Sequence, residues 1–149
     1  MNWKLIVVGG LVFFVVTFIV GYGTGELIHN GVLKESYKAT QGMWKPALEQ
    51  DPPDMGAVMP YWITTALIGA FILAAIYGCV RSALSGPGWK KGLVFGLILW
   101  GTVIVWLLDS SGVFHLPNKI WIWWAVDKLI LYLPGAIALG WVGAKVAPE

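Results

Sequence analysis

Four apolar runs, Leu5 to Gly25, Tyr61 to Val80, Leu93 to Leu108 and Trp121 to Val142, decide what this chain can fold into. A helix needs roughly 20 residues to cross a hydrocarbon core of about 30 Å, and each run is close to that length. In lipid every backbone N–H and C=O must be satisfied within the protein, which a helix does by itself and an open strand does not. The sequence therefore predicts an all-α membrane protein. The expected form is a four-transmembrane-helix bundle in a single domain over 1–149, with helices at about 5–25, 61–80, 93–108 and 121–142. A structured outer loop at about 26–60 separates helices 1 and 2. Only 12% of residues are charged and the formal net charge of +2 is scattered, so no basic patch exists to hold a nucleic acid. The expected partners are the lipid bilayer and other membrane protein subunits, or further copies of the chain as a homo-oligomer.

The start, Met-Asn-Trp-Lys before an apolar run, is similar to a signal peptide. The run from Leu5 to Val20 is at the long end for one, so it reads as a retained helix. Lys4, Arg81, Lys90, Lys91 and Lys145 fall on one side of the four runs. Lys34, Lys38, Lys45 and Lys119 fall on the other, diluted by Glu26, Glu35, Glu49, Asp51, Asp54 and Asp109. Basic residues are retained preferentially on the cytoplasmic side, so a bacterial inner (plasma) membrane location with both termini cytoplasmic is expected. Trp3, Trp89 and Trp141 then lie near the inner interface, and Trp62, Trp106, Trp121, Trp123 and Trp124 near the outer one, where indole rings prefer to sit. The single Cys79 has no internal partner for a disulfide and reads as a small apolar filler.

Small residues recur every four positions, which on a helix is one face. The second run carries Ala66, Ala70, Ala74 and Gly78; the third follows Gly88 with Gly92 and Gly96; the fourth carries Ala136, Gly140 and Ala144. Such faces let two backbones approach closely, either inside the bundle or against a different protein. Pro134 followed by Gly135 removes a backbone donor inside the fourth run, and a kink is expected there.

Four residues are candidate cofactor-binding positions: His29, Trp100, His115 and Asp127. His29 and Glu26 are three apart and share a helical face. With His115 and Asp109 from the last outer connection they would have to converge across two loops to hold a metal or a haem edge, and no paired-ligand motif sets this up, so no metal is assigned. The alternative is that they cap loops at a wet interface. Asp127 and Lys128 lie inside the fourth run, about 9 Å along the axis from Trp121 at about 1.5 Å per residue, and an ionisable group at that depth asks for a partner. Neighbours on a helix point about 100° apart, so these two are not automatically an ion pair with each other. Lys128 is expected to snorkel toward the outer interface. Asp127 is expected to turn inward, toward His115, Asn118, Lys119 or the polar end of the first helix, as a structural clasp or as a proton, quinone or ligand contact. Trp100 alone is mid-membrane and either packs between helices or walls a pocket. Gly21-Tyr-Gly-Thr-Gly25 follows a membrane helix and not a strand, so it is no dinucleotide site, and no other catalytic template is present.

The outer segment carries Ile28-His29, Gly31-Val32-Leu33, Tyr37, Ala39-Thr40, Trp44-Lys45-Pro46 and Glu49. Lys90-Lys91-Gly92-Leu93 and Leu133-Pro134-Gly135-Ala136 follow further on. In these residues the chain resembles an uncharacterised family of small four-helix bacterial integral membrane proteins. The resemblance spans most of the chain and implies a fold but no reaction. Glu26 and the acidic, proline-rich Asp51 to Asp54 depart from the pattern. The function expected is a non-catalytic accessory or scaffold subunit of a larger membrane complex, electron-transfer or photosynthetic in character, with no cofactor of its own. The alternative is a small bundle that binds or transports a ligand, with haem, quinone or pigment as the group held.

Overall fold

A computed structural model describes residues 2–148. Its helices are α1 (Leu5–Val32), the short α2 (Lys34–Lys38), α3 (Met55–Val80), α4 (Gly88–Ser111) and α5 (Asn118–Val146), with no strand among the described residues. The protein is an all-α bundle in which α1, α3, α4 and α5 are long and apolar enough to cross a membrane, the arrangement of a multi-pass membrane protein. Four crossings bring Asn2 and Pro148 to one end of the bundle, where residues from both termini line a common recess. The residues between α1 and α3 form a cap at the other end.

The spanning helices are longer than the apolar runs. Helix α3 begins at Met55 because the Asp54 carboxylate accepts the Ala57 N–H at 3.2 Å, capping a turn that the apolar pattern does not mark. Pro60 consequently lies inside α3 and not at its start. Helix α5 likewise runs from Asn118, just after Pro117, through Pro134 without interruption. At the cap end α1 changes geometry: Gly25–Val32 is wound as a π-helix, shown by the Leu33 N–H reaching the Ile28 carbonyl five residues back at 2.8 Å.

Helices α1 and α5 form the centre, α3 packs on α1, and α4 packs on α5. The α4–α5 contact consumes two of the small-residue faces. A Cβ on Gly92 would stand 2.2 Å from the Ala136 carbonyl oxygen, and one on Gly140 would stand 2.3 Å from the Gly88 carbonyl oxygen, so the two backbones touch with no side chain between them. Ala70 and Ala74 of α3 are buried, and Gly10 of α1 takes the Phe71 ring against its backbone. Tyr77 of α3 meets Phe95 of α4 with ring centroids 5.3 Å apart, closing the core near the terminal end. By contrast, Gly23, Gly25, Gly69 and Gly101 face open space.

The cap is held by short-range bonds. Gly42 turns the chain at φ +86°, and the Glu49 carboxylate accepts the N–H groups of Gly42 at 2.6 Å and Trp44 at 3.2 Å. Lys45 places its ammonium 4.4 Å from the Tyr61 ring centroid, tying the cap to α3. A second small core of Ile28, Leu33 and Ile120, with Trp44, Trp123 and Trp124 packed on it, seats the cap on the start of α5.

Candidate functional site

Where the cap meets the bundle, polar side chains from α1 and α5 converge on Asp127. Its side chain is 3% exposed. Lys128 reaches back along its own helix and donates to Asp127 Oδ2 at 3.0 Å. Helix geometry does not dictate this pair, but the four-carbon stem of lysine is long enough to close it. From α1, His29 Nε2 stands 3.7 Å from the same oxygen, and the Thr24 hydroxyl faces the carboxylate while bonding to the Gly21 carbonyl at 3.3 Å. Asp127 Oδ1 is buried and has no hydrogen-bond partner.

The network continues outward through the cap. His29 Nδ1 and Tyr37 Oη are 2.7 Å apart, and Trp124 Nε1 donates to the same hydroxyl at 2.8 Å. Trp44 donates its indole N–H to Thr40 Oγ1 at 3.0 Å, and its ring meets Tyr37 and Trp124 edge-on at 5.1 and 6.2 Å. An indole nitrogen only donates, so Tyr37 Oη accepts from Trp124 and keeps its own hydrogen for His29 Nδ1. On this donor count we assign neutral His29 the tautomer with its hydrogen on Nε2, directed at Asp127. The order of hydrogen bonds is Trp124 to Tyr37 to His29, and Asp127 Oδ2 stands 3.7 Å beyond His29 Nε2, outside hydrogen-bond distance. Burial raises the pKa of the Tyr37 hydroxyl above its ordinary value; the bond from Trp124 opposes this and the Asp127 charge adds to it.

Of the four residues singled out from sequence, the fold brings two together, His29 and Asp127. His115 is exposed in the α4–α5 connection, and Asp109 is exposed too, near the end of α4. Trp100 is half-buried, and its indole N–H bonds across to the Ala125 carbonyl of α5 at 2.9 Å, so it fastens α4 to α5. No three His, Cys, Asp or Glu side chains among the described residues are grouped to hold a metal ion. Sequence reasoning missed Thr24, Tyr37, Trp44 and Trp124 as members of the cluster. Trp124 had a usable signal, lying three residues before Asp127 on the same helical face. Tyr37 and Trp44 had none, because their placement depends on the π-wound end of α1 and on the fold of the cap.

No family model matches this chain, and no curated protein or solved structure matches it either.

Proposed function

We propose that this chain is a non-catalytic accessory or scaffold subunit of a larger membrane complex. In this reading it docks through the sides of its helices and holds the cap as a fixed platform. The carrying observation is that the polar cluster is turned inward. Nδ1 of His29, the Tyr37 hydroxyl and the indole N–H groups of Trp44, Trp100 and Trp124 are all hydrogen-bonded within the chain. A catalytic base or a ligand-holding donor needs an open valence toward its substrate; these groups instead tie α1, the cap and α4 to α5 or brace the cap itself. What remains outward is apolar helix surface, since only 17% to 28% of the most apolar stretch of each span is buried within the chain. The lysine and arginine distribution supports a plasma-membrane location with both termini cytoplasmic.

A second reading, a small bundle that binds a ligand at Asp127, is favoured by one observation, the buried oxygen Oδ1 without a partner. Purification from the native membrane in mild detergent, with mass spectrometry and an optical spectrum, separates the two. The subunit reading expects a partner, or further copies of the chain, at fixed stoichiometry and no visible absorption from this chain. A monomer carrying a visible band that His29→Ala removes would overturn it.

A further inference from the structure

We propose that His29 and Asp127 form a proton-binding site, in which a proton taken up by His29 from water at the cap face tightens the joint between cap and bundle. The inference rests on the clasp geometry and not on the docking reading, so a missing partner would leave it standing.

The buried carboxylate has an unused acceptor. Lys128 occupies Oδ2, while Oδ1 is shielded from water and bonded to nothing. The one basic ring within ion-pair reach is His29, whose side chain is 35% exposed and so has access to water that Asp127 lacks. As the neutral tautomer assigned above, His29 offers Asp127 a weak contact at 3.7 Å. As an imidazolium both its nitrogens are donors. The new hydrogen sits on Nδ1, so the bond to Tyr37 reverses, Nδ1–H donating to an oxygen that already accepts from Trp124, while Nε2–H, already directed at Asp127, becomes part of a cation facing the carboxylate. The Tyr37 hydrogen gives up its bond to His29. One proton enters, no electrons move, and no covalent bond between heavy atoms changes.

Charge decides which group takes the proton. The basic groups beside Asp127 among the described residues are Lys128 on α5 and His29 on α1. Thr24 of α1 and Tyr37 of α2 complete the surroundings as uncharged hydroxyls. A proton placed on Asp127 would strip Lys128 of its counter-charge. A proton placed on His29 leaves the carboxylate between two cations, one from α5 and one from α1, with Oδ1 still free to accept. The carboxylate then links α5 to α1 by a charge-assisted bond.

The test is amide exchange of Lys34 to Trp44 in the full chain in lipid nanodiscs at pH 8 and pH 5, each rate divided by that of His29→Gln at the same pH to cancel the intrinsic chemistry. The wild-type ratio should fall about tenfold on acidification, the factor expected from one charged hydrogen bond in an opening equilibrium. Asp127→Asn should abolish the change. A ratio that is flat with pH, or one that still falls in Asp127→Asn, overturns the proposal. Should Asp127→Asn fail to fold, nitrogen-15 shifts of the wild-type imidazoles decide. With exposed His115 as the internal comparison, His29 must pass from one protonated nitrogen to two across this range, and a ring that stays neutral at pH 5 overturns the idea.

Discussion

A carboxylate 3% exposed inside a membrane-length helix has to be matched by the residues around it, and Asp127 is matched unevenly, with Lys128 and His29 on one oxygen and nothing on the other. Removing one partner of a buried pair strands the other. Lys128 keeps a route to water, so Asp127→Ala should destabilise the fold by about 2 kcal/mol, less than breaking a fully buried pair would cost. Thermal unfolding in detergent, with the loss concentrated in cap protection, checks this. Tyr37→Phe deletes the acceptor for Trp124 and the donor to His29 while keeping the ring, and should cost about 1–3 kcal/mol, the penalty of leaving buried polar groups unmatched. Alkali gives a second handle on Tyr37. Its folded pKa is raised, so the stabilising contribution is complete below the unfolded value of about 10 and is lost as pH rises through the folded value. The cap should therefore loosen only in strong alkali, and Tyr37 should ionise late in a tyrosinate absorbance titration, in a step absent from Tyr37→Phe.

The α4–α5 crossing is the element contact most sensitive to a single side chain. Ala136 meets Gly92 through its backbone carbonyl, and Gly140 meets the Gly88 carbonyl, so neither neighbour has a rotamer with which to yield. Gly92→Leu should therefore part the helices and cost about 3 kcal/mol or more, whereas Gly101→Ala, on the same helix facing open space, should be neutral or gain up to about 1 kcal/mol from helix propensity. Melting temperatures of the two variants, measured side by side, test the contrast. This contact was legible in the sequence, because small residues at four-residue spacing are a backbone-level signal. So were the four spans and the inward turn of Asp127, since lipid leaves a buried charge few options. The boundaries were less legible: α3 starts at Met55 because of a polar cap at Asp54 that hydropathy does not register. Least legible was the π-wound Gly25–Val32, whose five-residue hydrogen bonds shift His29 relative to any α-helical projection. The joining of Tyr37 to Trp124, 87 residues apart, is tertiary and leaves no local trace.

For the whole molecule, the central placement of α1 and α5 with α3 and α4 on the flanks links the two ends of the bundle to different kinds of bonding. The terminal end is closed mainly by apolar packing around Leu5, Tyr77, Phe95 and Leu139, with the Arg81 guanidinium donating to the Gly143 carbonyl at 3.2 Å. Polar bonds from α1 and the cap to α5 close the opposite end. Such a division makes the membrane topology testable without knowing any partner. Four crossings require Asn2 and Pro148 to face one compartment and Gln50, exposed in the cap, to face the other. Single cysteines at these three positions, in a Cys79→Ser background because Cys79 is itself exposed, should react with an impermeant thiol reagent in two groups. The termini should label together from one side of sealed vesicles and position 50 from the other. If the terminal pair split, an odd number of the four helices would cross and the four-span arrangement would fail. The same vesicles separate the two ends energetically. Acid should alter reagent access at position 50 through the His29 joint while leaving access at the terminal end unchanged, because the contact between His29 and Asp127 lies within the cap-end cluster.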